Sequence, residues 1–292
     1  MSFTQEEIAT QPSCWLRAVE AAGEHDGALP QPGEDVAIVG CGTSWFMAQS
    51  YAALRESVGE GRTDAFAASQ FPPGRRYDRV VALTRSGTTT EVLSLLGQVR
   101  GGTVTTAITA DDATPVGQAA DHIITLPFAD ERSVVQTRFA TTALALLRAH
   151  LGQDLSGAAE DAKQALLAPL EPQIVTASQF TFLGSGWTCG LAEEAALKMR
   201  EAAGAWTESY PAMEYRHGPI SIAAPGRVVW VFGPVPQGLS EDIAHTGATL
   251  VHSDRDPLAD LVRAQRLAVA VAEAAGLDPD RPRNLTRSVV LA

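Results

Sequence analysis

Cationic residues are scarce in this chain: 22 Lys and Arg stand against 34 Asp and Glu, a formal net charge of −12 over 292 residues. Nucleic-acid and anionic-membrane surfaces need clustered cations, so neither partner is expected. An anionic ligand would have to be held locally, by backbone N–H groups, hydroxyls and a few placed cations. Cysteine is also sparse. Cys14, Cys41 and Cys189 are odd in number, far apart and without paired metal-ligand spacing, which suits a reducing compartment. No run approaches the roughly 18 apolar residues of a membrane span. Acidic residues stand near the N-terminus where a signal peptide would be basic, so the expected location is the cytoplasm. A Walker loop is missing, with no Gly-Lys-Ser/Thr. The dinucleotide fingerprint that Gly40-Cys41-Gly42 begins fails at Trp45, where its third glycine belongs. No cofactor and no metal is expected.

What is present is one grammar used twice: short β-rich runs, each followed by a small-residue turn and a helical stretch. In the first half the runs are Val36–Gly40, Ala65–Ala68, Val80–Thr84, Val104–Thr109 and His122–Leu126. In the second they are Phe180–Leu183, Thr207–Tyr210, Val228–Phe232 and Thr249–His252. Strands alternating with helical patterns predict βαβ units and mostly parallel sheets, and near-continuous apolar runs suit strands buried on both faces. The helical stretch Val134–Leu151 leads into the polar, Ala-rich segment Ser156–Gln173. The expected division is therefore residues 1–157 and 158–292. An internal echo supports duplication: Val39-Gly40-Cys41-Gly42-Thr43-Ser44 against Leu183-Gly184-Ser185-Gly186-Trp187-Thr188, both strand–Gly-x-Gly–helix turns.

The most informative segment is Val80-Val81-Ala82-Leu83-Thr84-Arg85-Ser86-Gly87-Thr88-Thr89-Thr90-Glu91. A buried strand ends in a dense set of hydroxyls with one Gly and one Arg, and a helix, Glu91–Val99, follows. That places helical N–H groups and hydroxyl donors around one point, as a phosphate requires. The helix dipole adds only about 0.3–1 kcal/mol, so charge-assisted hydrogen bonds would do most of the binding. Ser and Thr are also ordinary helix caps, but one cap needs one hydroxyl. The second half has no such loop. After its buried strand comes Gly233-Pro234-Val235-Pro236, without a hydroxyl and with prolines that donate no N–H.

Glu194, Lys198 and Glu201 share one helical face at i, i+4 and i+7. They form either a solvent-side Glu–Lys pair or a polar strip facing a cleft, and periodicity leaves both open. His217 sits in Tyr210-Pro211-Ala212-Met213-Glu214-Tyr215-Arg216-His217-Gly218-Pro219, a loop closed by Gly-Pro.

Together with Pro282-Arg283-Asn284-Leu285, these strings resemble the tandem-SIS sugar isomerases. They are most similar to the isomerase half of glucosamine-6-phosphate synthase and to the free-standing amino-sugar-phosphate deaminases and isomerases. The resemblance runs in order over nearly the whole chain. It implies an α/β fold of two SIS domains, each a central parallel sheet flanked by helices in three αβα layers. It also implies a homodimer with sites shared between subunits and a sugar phosphate as ligand. By the same resemblance Thr84, Arg85, Ser86 and Thr89 hold the phosphate, and Thr43 and Ser44 lie near the sugar. Glu201 matches the base that shuttles a proton between C1 and C2. His217 matches the residue that assists ring opening across the dimer interface, and Glu194 and Lys198 match supporting residues.

Two departures narrow the expectation. The glutaminase half and its Cys nucleophile are absent from this sequence, so glutamine-dependent synthesis is not expected of it. Arg287 stands in the place of the synthase's imine-forming lysine, and Arg is not a practical imine former. Gln136 occupies the position of one hydroxyl of the synthase site, and Arg287 is left as a substrate-binding cation. The expected activity is aldose–ketose isomerisation of a hexose or amino-hexose 6-phosphate by non-covalent proton transfer, with or without deamination. The alternative is a non-catalytic phosphosugar sensor.

Overall fold

The structure is a computed structural model, and it describes residues 2–291. Its residues group into two compact units. One comprises Met1–Pro12, Ser133–Val135 and Ser156–Leu285, and the other Ser13–Arg132, Gln136–Leu155 and Thr286–Ala292. The first helix, α1 (Phe3–Glu24), contributes to both and carries Pro12 inside it.

The second-named unit is built on five strands: β1 (Val36–Gly40), β2 (Thr63–Ala67), β3 (Arg79–Thr84), β4 (Val104–Thr109) and β5 (His122–Thr125). Their order is β2-β1-β3-β4-β5, and every neighbouring pair is parallel. β1 and β3 are buried along their whole length, which is why Val-Ala-Ile-Val and Val-Val-Ala-Leu carry no polar alternation. Helix α2 (Thr43–Ser57) crosses between β1 and β2, and α3 (Thr90–Val99) between β3 and β4. Helix α4 (Arg138–His150) packs on α2. One core joins Ala37, Val39, Val80 and Ala82 of the sheet to Val92, Leu95 and Leu96 of α3.

The other unit repeats the scheme with four parallel strands: β6 (Gln179–Gly184), β7 (Thr207–Pro211), β8 (Arg227–Val231) and β9 (Thr249–Val251), in the order β7-β6-β8-β9. Its helices are α5 (Ser156–Leu167), the short α6 (Pro172–Val175), α7 (Thr188–Ala203), α8 (Leu239–Thr246) and α9 (Pro257–Ala274). Helix α7 packs on β6, β7 and α9, and α5 packs on α9. This sheet is aromatic where the other is aliphatic. Phe182 lies with its ring centroid 6.3 Å from those of both Trp230 and Phe232, and all three are buried.

The strand–Gly-x-Gly–helix echo has a packing cause. A Cβ on Gly40 would come within 2.6 Å of the Ser44 carbonyl carbon, and one on Gly184 within 2.3 Å of the Thr188 carbonyl oxygen. In each unit the helix starts so close to the central strand that only glycine fits. The helical pattern expected from Val134 begins only at Arg138, because residues 132–135 form bends and Thr137, at φ −134° and ψ −69°, lies outside helical geometry. Among the described residues no helix is long and apolar enough to cross a membrane.

Candidate functional site

In the five-stranded sheet the chain steps from β1 outward to β2, then returns to β3 on the other side of β1 and continues to β4. The crevice at the carboxyl ends of β1 and β3 is therefore a topological switch point, where open α/β sheets bind ligands. The two turns that flank it are Gly40–Thr43 and Thr84–Thr89.

Gly87 allows the second turn to form. Its φ is +62°, and an added Cβ would lie 1.9 Å from Thr114 Oγ1 and 2.8 Å from Val116 Cγ1. The Val116 N–H donates to the Gly87 carbonyl at 3.0 Å, tying the turn to the segment after β4. Thr89 is the residue before α3, yet its side chain makes no capping hydrogen bond. The Thr89 hydroxyl is thus not an ordinary cap, whereas Ser86 Oγ accepts the Thr88 N–H at 3.3 Å. Thr84, at the end of β3, is 4% exposed, and its Oγ1 has no hydrogen-bond partner among the described residues. Thr43 and Ser44 open α2 on the neighbouring strand's turn and are buried.

Arg85 is held rather than displayed. It is 5% exposed, with Nη1 3.4 Å from Glu131 Oε2 and Nη2 donating to the Arg287 carbonyl at 2.9 Å. Glu131 is buried, and its Oε1 accepts from the Thr137 N–H at 2.6 Å, the Thr137 hydroxyl at 2.9 Å and the Arg138 N–H at 2.6 Å. One carboxylate therefore caps α4 and orients Arg85. Gln136, half-buried, sits directly before the Thr137 so fixed. Arg287 pairs with Asp130 at 2.5 Å, with the two side chains 46% and 43% exposed.

The segment that follows Arg287 lies on this loop. Ser288 Oγ is 3.2 Å from Ser86 Oγ and 2.9 Å from Thr88 Oγ1. The Thr90 N–H, in the first turn of α3, donates to the Val289 carbonyl at 3.2 Å, and the Leu291 N–H donates to Thr90 Oγ1 at 2.9 Å.

In the other unit Glu194 and Lys198 are buried, so this strip of α7 is not a solvent-side pair. Lys198 Nζ is 3.5 Å from Glu194 Oε1 and also donates to Glu201 Oε2. Lys198 is one of only two lysines in the chain, the other being the exposed Lys163. Two carboxylates thus share one buried ammonium, an arrangement in which loss of the cation would strand both. Glu201 reaches a cavity of about 170 Å³, lined also by Arg200, Leu277, Arg281, Pro282 and Arg283. Burial lowers the Arg200 pKa, opposed by the charges of Glu201, Glu194 and Glu193. His217 does not line that cavity. It is exposed, at the end of the short turn Glu214–His217, and makes no side-chain hydrogen bond among the described residues.

At the corresponding switch point of this unit, between β6 and β8, Thr188 Oγ1 accepts from the Ser185 N–H at 2.8 Å and faces the Phe232 carbonyl at 3.0 Å. The strap Gly233–Gln237 follows, with Arg216 bonded to the Gln237 carbonyl and to Asp242. Among the described residues no cluster of three or more His, Cys, Asp or Glu is placed to hold a metal ion.

Sequence reasoning passed over Glu131 and Ser288. Glu131 stands six residues before the residue it caps, at a spacing no capping motif has, and Ser288 is 202 residues from Ser86.

Residues 32–151 match the family model described as SIS domain. The chain is similar to the glutamine–fructose-6-phosphate aminotransferases (isomerizing) of Xanthomonas campestris and Methanothermobacter thermautotrophicus. Identity is 27% and 28%, and the alignments cover 99% of this chain but only 59% and 57% of those proteins. It thus spans little more than half the length of these curated relatives. Its fold is that of the glucosamine-6-phosphate deaminase of Thermotoga maritima, at 24% identity and a TM-score of 0.84, with 99% of this chain and 100% of that one covered. The tagatose-6-phosphate ketose/aldose isomerase of Escherichia coli superposes with a TM-score of 0.82 at 19% identity, covering 96% of this chain and 95% of that one. The SIS-domain match thus spans residues 32–151, which contain all five strands of the β2-β1-β3-β4-β5 sheet.

Proposed function

We propose that the chain is a phosphosugar isomerase acting on a hexose or amino-hexose 6-phosphate. The observation that carries this reading is the loop at the β1/β3 switch point, whose Thr89 and Thr84 hydroxyls serve neither as caps nor as partners to the described residues. Thr84, Ser86 and Thr89, with Arg85, would hold the phosphate, and Thr43, Ser44 and Gln136 would contact the sugar. The names of the relatives and of the proteins that share the fold point to the same substrate class. We further propose that residues 158–292 form a second SIS domain, that the protein works as a cytoplasmic homodimer, and that His217 serves the partner's site.

In the proposed reaction Glu201 removes the proton on C2 of the open-chain aldose. O1 gains a proton as the enediol forms; the same carboxylate then returns the carbon-bound proton to C1 while O2 loses its own, so the net change is one proton from C2 to C1 and one from O2 to O1, giving the ketose. A placed carboxylate base contributes about 10²–10⁴-fold to such a step. Where C2 carries an amino group, the product is a C2 imine, which water hydrolyses with release of ammonia. The hydrogen bond from Lys198 fixes the direction of the Glu201 carboxylate. Arg287, which cannot readily form an imine, would act as a cation near the substrate.

The test is a panel of hexose and amino-hexose 6-phosphates assayed together for ketose, ammonia and solvent-hydrogen exchange at C2. Exchange with at least one substrate is expected. Phosphosugar binding with no exchange on any member would instead identify a sensor.

A further inference from the structure

The amino ends of the five-stranded sheet carry a feature that the proposed reaction does not use. Asp35 stands directly before β1, Asp78 directly before β3 and Thr103 directly before β4, and all three line a cavity of about 650 Å³. Ligand pockets run from about 300 to 1,000 Å³. The cavity lies at the opposite end of β3 from Thr84, about 16 Å away along six residues of strand. We propose that it binds a nucleotide carrying two or more phosphates, with the phosphates on Arg75, Arg76 and Arg100 and the base against Phe71 and Val99.

Charge carries the phosphate half of this assignment. Asp35 Oδ2 accepts from Arg62 Nη2 at 2.7 Å, and Asp64 Oδ2 lies 3.3 Å from Arg75 Nη1. Asp78 Oδ2 accepts the Asp35 N–H at 2.8 Å, which ties the start of β3 to the start of β1. The guanidinium groups of Arg62, Arg75, Arg76 and Arg100 thus outnumber the carboxylates of Asp35, Asp64 and Asp78, a local positive excess in a chain whose net charge is −12. Arg76 and Arg100 are exposed and make no side-chain hydrogen bond or ion pair among the described residues. An exposed arginine is ordinarily just solvated. Here three of them border one concavity, and each is a planar fork that takes phosphate oxygens two at a time.

The base half rests on the apolar lining. Phe71 and Val99 are half-buried, pack on the core shared by β1, β3 and α3, and border the cavity. The Phe71 ring is held by those of Phe66 and Tyr77, with centroids 5.6 and 5.7 Å away. Inorganic phosphate leaves such a surface wet, while a planar base gains by covering it. The same aromatic cluster braces the cations. Arg75 lies 5.8 Å over the Phe66 ring and Arg62 5.7 Å over that of Tyr77. Tyr77, 6% exposed, donates its hydroxyl to Asp64 Oδ2 at 2.6 Å, so the carboxylate that holds Arg75 is itself fixed. The wall and the Arg75 anchor are therefore set by the fold, and Arg76 and Arg100 are left to close on the phosphates.

Titration calorimetry of the full chain at low salt tests this, with ADP, pyrophosphate and adenosine as probes. ADP should bind, pyrophosphate should bind about tenfold more weakly for lack of the base, and adenosine should give no measurable heat. Arg76→Ala and Arg100→Ala should each weaken ADP binding about tenfold or more, the effect of losing a hydrogen bond to a charged group. Both residues are exposed, so both variants should melt as the wild type does. Ser86→Ala, at the far end of β3, should leave ADP affinity within about twofold. If neither ADP nor pyrophosphate binds the full chain, the site is overturned. ADP binding that drops with Ser86→Ala and survives both arginine substitutions overturns it too, by placing the nucleotide on the hydroxyl loop. Pyrophosphate binding as tightly as ADP overturns the nucleoside assignment. None of these results bears on the isomerase reading, which is judged by exchange at C2.

Discussion

The two switch points of this protein were built from one plan and finished differently. Both follow a central strand flanked by parallel neighbours, and both begin with a glycine that the next helix crowds. At the β1/β3 point the second turn carries Arg85, Ser86, Gly87, Thr88 and Thr89, with Arg85 held on Glu131 and the Thr89 hydroxyl making no capping bond. At the β6/β8 point the Thr188 hydroxyl is used on backbone groups, and Pro234 and Pro236 supply no N–H. What this unit offers is α7, with a carboxylate, a buried ammonium and a second carboxylate along one face. The difference teaches that two units of like strand order can carry different chemistry: in the proposed function the hydroxyl loop of one holds the anion and the carboxylate of the other moves the proton. Each variant below asks whether binding and chemistry separate in the same way.

The largest effect is expected in the unit with the acid–base helix. Glu201→Gln keeps the shape and the Lys198 hydrogen bond but cannot take a proton, so C2 exchange should fall by about 10²–10⁴-fold. Affinity for inorganic phosphate, read by calorimetry, should remain within twofold. A variant that lost both would merge the two roles and break the comparison.

Lys198→Met should come next, and it acts on stability. The substitution removes the cation that Glu194 and Glu201 share, with Glu194 fully buried, and removing one partner of a buried ion pair costs about 3–5 kcal/mol. Lys163→Met removes the other lysine, which pairs with Glu160 in the open, and should leave the denaturant midpoint unchanged. If the two variants unfold alike, the buried cluster is not a strut of this unit.

Much of this was legible before the coordinates. The β-rich runs reappear as strands with shifts of a residue or two, because Val-Val-Ala-Leu and Phe-Thr-Phe-Leu are short, apolar and closed by small residues. The Gly-x-Gly echo is matched by sheets whose strand orders agree over four positions. The face of α7 was legible as a polar strip, but which way it pointed was not. Burial depends on what packs against the helix, here α9, and no periodicity carries that. The same limit hid Glu131, whose three donors come from Thr137 and Arg138, and Ser288, whose partners come from a loop 200 residues earlier. Local pattern gave the hydroxyls of the Thr84–Thr89 loop. Only the folded chain supplied what sits on them.

Ser86→Ala and Thr89→Ala sharpen the comparison within the binding unit. A hydrogen bond to a charged group is worth about 1.5–3 kcal/mol, so each should weaken phosphate binding by that order. Ser86 also contacts Ser288 and Thr88, whereas the Thr89 side chain makes no capping bond, so only Ser86→Ala disturbs contacts within the loop as well. Equal affinity of the full protein for a phosphorylated sugar and its unphosphorylated form would remove the basis for both.

The smallest effect is expected from Thr188→Val, the counterpart test at the β6/β8 switch point. Thr188 is 4% exposed, and its hydroxyl links the Ser185 N–H to the Phe232 carbonyl. Valine keeps the volume and removes the link. Ser185 itself is exposed, so its N–H can turn to water, and the cost should stay near that of one ordinary hydrogen bond, about 1 kcal/mol. In a protein of this size that is about 2–4 °C in Tm, measured by calorimetry. Phosphate affinity should not change at all, because this hydroxyl is spent on backbone groups and the strap after β8 carries two prolines that donate no N–H. A Thr188→Val protein with wild-type Tm but weakened phosphate binding would mean that the second switch point takes part in holding the anion, and the division of labour between the two units would have to be redrawn.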